Sequence, residues 1–326
     1  MLFKNKTHRN YSKKKIIFLF ISSLLLFFLI SVSVYAIYLY DKVQDTLNSS
    51  YEEVQRDNKR SSLRDNVVNP IKDNVSILLI GVDDSKDRNY KEHSRSDALI
   101  LGTFNRKDNS INLLSIPRDS HVYVPELGYH TKINHAHFYG GPKATIEAVE
   151  NFMNVPVDYY VRFNFEAFIE IIDSLGGIYF DVPFELYEPD SHDNKNAIHL
   201  MPGYQKINGE QALALVRSRK YDNDIERSKR QQEMIRTIFK EATSTSSIFK
   251  LGDIIRAVGS NMKTNLSFAE IKSFASYGLS KAPSLTSLHL KGFGGYLDDG
   301  LWYYQVDERS REAIEKELLS HLGITN

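Results

Sequence analysis

Val75-Ser76-Ile77-Leu78-Leu79-Ile80, closed by Gly81-Val82-Asp83-Asp84, decides the fold class. Six residues with no polar alternation suit a strand covered on both faces, and the glycine and carboxylates after it mark the strand's end. Working outward, residues 98–104 and 111–116 repeat the pattern, the latter stopped by Pro117. Residues 144–153 read as a helix. Residues 159–163 are a strand leading into a helix over 166–175, whose Phe168, Ile169, Ile171 and Ile172 form an apolar face and which Gly176-Gly177 ends. A strand at 178–182, helices at 209–215 and 228–242, and two more helices between 248 and 279 complete the pattern. Strands and helices mixed in this way predict an α/β fold, a layered α-β-α domain around a central mixed sheet.

Upstream the chain changes character. Residues 1–15 carry Lys4, Lys6, Arg9, Lys13, Lys14 and Lys15 and no acid, and residues 16–40 carry no charge at all. Twenty-five helical residues span roughly 37 Å, enough to cross a hydrocarbon core of about 30 Å. The basic flank predicts a cytoplasmic N-terminus and an extracellular C-terminal portion, with Tyr35, Tyr38 and Tyr40 at the outer interface. The apolar run is longer than a signal-peptide core and no A-x-A-like site follows it. The expected organisation is a basic tail (1–15), a membrane anchor (16–40), a polar stalk (41–70) and an extracellular globular domain (71–326).

The chain has no cysteine, which excludes disulfides, thiolate metal sites and a thiol nucleophile. Its formal charge of zero hides the basic tail; without those six cations the remainder is acidic by about six charges. General affinity for nucleic acid, which rests on cation–phosphate contacts, is therefore not expected.

Polar groups gather at the ends of the apolar strands, where α/β folds place their sites. Asp83 follows the first strand; Arg95-Ser96-Asp97 precedes the second. Each carboxylate alone reads as a turn or cap, but together at adjacent strand ends Asp83 and Asp97 suit one Mg²⁺, which takes one or two carboxylates and leaves positions for water and phosphate. Arg118 follows Pro117 in a restrained direction. Arg217 and Arg219 share a side if their stretch is extended, and Arg227, Arg230 and Gln231 share one face of a helix. Any one arginine run is usually a solvated face. So many arginines in an acidic domain point to an anion site, because guanidinium pairs with phosphate in bidentate fashion.

The ordered motifs Gly81-Val82-Asp83, Arg95-Ser96-Asp97-Ala98-Leu99-Ile100-Leu101, Leu114-Ser115-Ile116-Pro117-Arg118-Asp119, Lys132-Ile133-Asn134-His135-Ala136 with Gly140-Gly141, and Asn208-Gly209-Glu210-Gln211-Ala212-Leu213 before Arg217 and Arg230-Gln231-Gln232 resemble the LytR-CpsA-Psr family of cell-wall enzymes. The resemblance spans residues 75–240. It implies a phosphotransferase that moves an anionic glycopolymer, of wall teichoic acid or capsule type, from an undecaprenyl diphosphate carrier to peptidoglycan, in the cell membrane of a Gram-positive bacterium. It implies that Asp83 and Asp97 bind Mg²⁺, with Mn²⁺ the alternative ion, and that Arg95, Arg118, Arg217, Arg219, Arg227 and Gln231 contact the diphosphate. It further implies an apolar lipid pocket through the domain, for which the aromatic and aliphatic residues between 159 and 178 are candidates. Glu226 stands where the family often carries glycine.

Phosphoryl transfer asks a protein mainly for alignment and charge stabilisation, which arginines and Mg²⁺ supply. Asp97, Arg118 and Asp83 are the catalytic candidates, with Asp97 or Asp83 to accept the hydroxyl proton. A lipid-diphosphate hydrolase would use the same groups with water. A regulator or a non-catalytic lipid-binding protein is the other class, though some 15 cytoplasmic residues leave little to touch DNA. His135 and His137 read as loop packing rather than a metal pair. Gly294-Gly295, Asp298-Asp299-Gly300 and Trp302-Tyr303-Tyr304 read as a turn before an aromatic strand, with no chemistry assigned.

Overall fold

A computed structural model describes residues 13–56, 60–83, 94–218, 224–242, 254, 258–259, 261–280 and 283–324. The chain divides into a unit ending at Asp45 and a larger one from Thr46 onward.

The first unit is most of helix α1 (Lys13–Ser50). Phe20, Leu24, Leu25, Phe27, Phe28, Ile30, Val34, Ile37 and Tyr38 are all exposed on it. A helix apolar on every face with nothing packed over it suits lipid rather than water. Among the described residues it is the one helix long and apolar enough to cross a membrane, and it fits a single-pass anchor.

The second unit is built on a six-stranded mixed sheet. Its strands are β1 (Val75–Val82), β2 (Ser96–Asn105), β3 (Ser110–Ser115), β6 (Tyr159–Phe163), β11 (Met262–Thr264) and β12 (Ser284–His289). They lie in the order β11-β6-β1-β2-β3-β12. β1 runs parallel to β6 and β3 parallel to β12, while β1–β2, β2–β3 and β6–β11 are antiparallel. Small hairpins surround it: β4 (His121–Val124) with β5 (Tyr129–Lys132), β7 (Ile178–Val182) with β10 (Gly203–Ile207), β8 (Leu186–Glu188) with β9 (Ile198–Leu200), and β13 (Gly292–Tyr296) with β14 (Trp302–Val306). The helices are α2 (Asn134–Met153), α3 (Phe165–Leu175), α4 (Gly209–Arg217), α5 (Asp224–Ala242), α6 (Phe268–Ser280) and α7 (Glu308–Leu322).

The unbroken apolar runs are explained by cover on both sides. Side chains alternate along a strand. Leu78, Ile80, Val82, Leu99, Leu101 and Leu114 face α2 and α7, meeting Ile146, Val149, Met153, Leu318 and Leu322. Their neighbours Ile77, Leu79, Ile100, Ile111 and Leu113 face α5 and α6. A second, smaller core joins Ile172, Leu175, Ile178, Phe180, Val182, Ala212, Leu215, Val216 and Met234 of α3, α4, α5 and β7. The α-β-α layering expected from the sequence is present.

Of the stalk expected over 41–70, the described residues 46–56 and 60–70 pack on the domain. Leu47 and Val54 are buried, Tyr51 bridges Thr264, and the Arg64 guanidinium grips Asp158 at 2.6 and 2.9 Å. Arg56 donates to the Val157 carbonyl at 2.6 Å. A polar stretch with regularly placed arginines thus satisfies carboxylates and carbonyls on the domain edge instead of standing free. Of the two helices expected between 248 and 279, α6 is present; most of the other lies outside the described residues.

Candidate functional site

The two cores do not close on each other. Between them lies a slot of about 480 Å³. Leu79, Ile100, Val161 and Phe163 of the sheet form one wall; Phe165, Phe168 and Ile171 of α3, Leu213 and Val216 of α4, and Met234, Ile235 and Ile238 of α5 form the others. The bore is apolar; of its polar groups, Asp83, Asp97, Asn164 and Arg217 come from element ends, and Arg227 and Gln231 from the first two turns of α5.

The local sequence explains how each group arrives there. The β1–β2 register slips between Gly81 and Val82, so that Val82 pairs with Ser96, and Asp83 and Asp97 both turn to the slot. A side chain at Gly81 would stand 3.2 Å from Ala98 Cβ and 3.5 Å from the Phe163 ring, so glycine keeps the throat open. Asn164 caps α3 by accepting from Ala167 N at 3.0 Å. The Asn208–Gln211 pair is a capping box: the Gln211 amide donates to Asn208 Oδ1 at 2.9 Å, and the Asn208 amide donates to Gln211 Oε1 at 3.0 Å. Gly209 lets α4 touch α3, since a Cβ there would lie 2.5 Å from the Ile169 carbonyl. Capped and seated in this way, α4 runs to Arg217, whose guanidinium lies 4.5 Å from the Phe165 ring centre at the slot.

Arg118 leaves the end of β3 and donates through Nη1 to Asp97 Oδ1. Its Nε lies 3.5 Å from Asp119 Oδ2, and Lys132 holds the other oxygen of Asp119 at 2.9 Å. One carboxylate on each side thus fixes the guanidinium. Arg227 is buried on α5 and lines both the slot and a small notch beside Arg118. Gln231 lines the slot one turn later and donates to the Val216 carbonyl at 3.4 Å. Glu226 sits in the first turn of α5, where a carboxylate is favoured, and pairs with Lys229 at 2.7 Å.

Not every sequence candidate converges here. Arg95 is exposed and lies 5.9 Å from the Phe138 ring centre, away from the slot lining. Arg219 lies outside the described residues, and Arg217 ends a helix rather than an extended stretch. Arg230 turns away from Arg227 and Gln231: it donates to the Leu215 carbonyl at 2.8 Å and the Ser218 carbonyl at 2.9 Å, satisfying the open end of α4. Gln232 ties α5 to the sheet through the Leu288 carbonyl at 3.0 Å.

The two histidines lie in the first turn of α2 rather than in a loop. His135 meets Thr131 Oγ1 at 2.9 Å and His137 the Ser94 carbonyl at 2.6 Å. Burial, then the charges of Arg95 and Lys132, push His135 below its ordinary pKa, against Asp119. Among the described residues no group of three or more His, Asp or Glu gathers to hold a metal. Sequence reasoning missed Asn164 and the α5 residues Met234, Ile235 and Ile238; the asparagine before a helical run was the available signal for the first.

A profile of the LytR_cpsA_psr family matches residues 37–320. The chain belongs to the LytR-CpsA-Psr family. An uncharacterized protein of Staphylococcus aureus is 46% identical over 87% of this chain and 69% of its own length. Another family member, the polyisoprenyl-teichoic acid–peptidoglycan teichoic acid transferase TagT of Bacillus subtilis, is 34% identical over 93% of this chain and 94% of its own. The fold matches solved members too. TagT bound to LIIa-WTA aligns at a TM-score of 0.69, 35% identity, over 81% of this chain and 96% of its own. TagT with bound octaprenyl pyrophosphate lipid aligns at 0.67, 32% identity, over 83% and 99%.

Proposed function

We propose that this protein is a membrane-anchored phosphotransferase that moves an anionic glycopolymer from an undecaprenyl diphosphate carrier to peptidoglycan at the outer face of the membrane. One observation carries the reading: an apolar slot of about 480 Å³ is lined at its polar end by two carboxylates, two arginines and a glutamine. Its kinship with TagT, solved with a polyprenyl pyrophosphate, supports that ligand class.

In this reading the prenyl chain fills the bore, and Arg217, Arg227 and Gln231 engage the diphosphate. Arg118, held by Asp97 and Asp119, adds charge beside it. An acceptor hydroxyl attacks the phosphorus that carries the sugar. The bond from that phosphorus to the lipid-side phosphate breaks, giving a phosphodiester and lipid monophosphate. The hydroxyl proton passes to Asp97 or Asp83. Asp83 and Asp97, carboxylates at neighbouring strand ends, would hold a Mg²⁺, which would supply charge neutralisation at the phosphate. The six basic residues among positions 1–15, before the apolar run, support a cytoplasmic N-terminus and an outer domain. Tethering enzyme and carrier to one membrane raises their effective concentration.

The test is transfer, by the full-length protein in detergent, from a polyprenyl-diphosphate-linked glycopolymer to uncross-linked peptidoglycan oligomers. Asp97→Ala and Arg118→Ala should each abolish it, and chelation should abolish it until Mg²⁺ or Mn²⁺ is restored. Full activity in both variants refutes the assigned site. Polymer released at the same rate without acceptor would make the protein a hydrolase.

A further inference from the structure

The hairpin of β13 and β14 has no part in the lipid slot, yet it is fastened beside Arg118. Tyr304 N donates to the Asp119 carbonyl at 2.9 Å, and Tyr304 forms a strand bridge with Ser120. Side chains alternate along β14. Tyr303 turns to His121 and Lys132, with ring distances of 4.8 and 5.6 Å, and donates to Asp299 at 2.6 Å. Trp302 and Tyr304 turn the other way and line a notch with Pro117, Arg118, Asp119 and Arg227. Arg227 is thereby shared: one aspect faces the lipid slot and another faces the notch.

Three features of the hairpin ask for a ligand. The Trp302 ring occupies the space that a side chain at Gly294 would fill, 2.1 Å from the ideal Cβ position, so glycine lets the indole lie down on the hairpin. Tyr296, paired across from Trp302 and so on the same face, is 77% exposed. Aromatic rings left in water beside a charged cleft mark contact surfaces. Finally, the hairpin turn carries Asp298 and Asp299, which repel an anionic polymer and leave neutral rings unopposed.

We propose that Trp302 with Tyr296, its cross-strand neighbour on the same face of the hairpin, forms the subsite for the acceptor glycan, an uncharged stretch of sugar rings whose apolar C–H faces lie on the aromatic side chains while a hydroxyl reaches the notch. The inference rests on the phosphotransfer reading and adds the direction of approach. Lipid enters from the slot, acceptor from the notch, and the phosphate lies between them at Arg227 and Arg118.

Trp302 is the single tryptophan of the chain, so its fluorescence reports on this place alone. Titrating the full-length protein in detergent with chitotetraose, or with uncross-linked peptidoglycan oligomers, should give a saturable change in emission that persists with octaprenyl diphosphate in the slot. A Tyr296→Ala variant should shift the midpoint several-fold, whereas Phe293→Ala, on the opposite face, should leave it in place. Trp302→Ala should raise the acceptor KM at least tenfold with donor KM unchanged, and Trp302→Phe should restore most of it. Emission unmoved at glycan concentrations that support transfer overturns the subsite, as does an unaltered acceptor KM in Trp302→Ala. Glycan that titrates Trp302 in a protein showing no transfer would sink the phosphotransfer reading and leave the subsite standing.

Discussion

Replacing Arg217 by lysine separates charge from geometry at the slot mouth. Arg217 is the last residue of α4, so either cation complements the helix C-terminus and the fold should lose less than about 1 kcal/mol. What lysine cannot supply is the planar fork and the stack on Phe165, 4.5 Å away. The half-buried stack contributes about 0.5–1 kcal/mol. The second charge-assisted hydrogen bond to a phosphate contributes about 1.5 kcal/mol. Together they predict a loss near 2 kcal/mol in kcat/KM, roughly thirty-fold. The assay is steady-state transfer from a polyprenyl-diphosphate-linked donor with acceptor saturating, beside a thermal melt of each protein. A variant within about two-fold of the parent, melting at the same temperature, would refute the claim that Arg217 grips the diphosphate. Equal loss in melting temperature and activity would mean that the residue serves α4 rather than the ligand.

Three further outcomes follow from the packing. Gly209→Ala places a methyl 2.5 Å from the Ile169 carbonyl and 2.7 Å from its Cα, so α3 and α4 must part; chemical denaturation should show a loss of about 1–3 kcal/mol. Arg230→Met should cost about 2–4 kcal/mol, because the Leu215 and Ser218 carbonyls lose their donors, and Arg230→Lys should recover only part of it. His321 bridges Thr103 Oγ1 and Ser110 Oγ, each at 2.8 Å, and burial lowers its pKa. With the folded pKa depressed, the unfolded chain takes up the proton first. Stability is therefore full above about pH 6.5 and falls as pH drops below it, by up to about 1.4 kcal/mol per pH unit for this group. His121 and His289, lowered by the same burial, act in the same sense. Urea midpoints of the parent and His321→Gln across pH 5–8 should converge at the acid end; parallel curves would contradict the assignment.

Much of this protein was written in its sequence. Strands β1, β2, β3, β6 and β7 and helices α3, α4 and α5 are set by local apolar runs, by glycines and by caps such as Asn208, all of which act over a few residues. The first turns of α2 were not legible, because Gly140 and Gly141 leave the helical region and interrupt the pattern. The anchor was legible for the same reason as the strands: twenty-five uncharged residues need no partner to be recognised. The carboxylates and arginines were visible as residues, and the ordered motifs carried the family.

What the tertiary structure alone decided is which of those groups meet. Sequence periodicity put Arg227, Arg230 and Gln231 on one face, but a nearby helix end drew Arg230 to its bare carbonyls and left the other two at the slot. Arg118 and Asp97 lie 21 residues apart in the chain and pair only because β2 and β3 are neighbours in the sheet. The slot is a space between two cores that do not merge, and no segment encodes a space. Lys132 reaches Asp119 across the β4–β5 hairpin, and Trp302 reaches the notch because Tyr304 N donates to the Asp119 carbonyl, contacts between distant segments that no local period encodes.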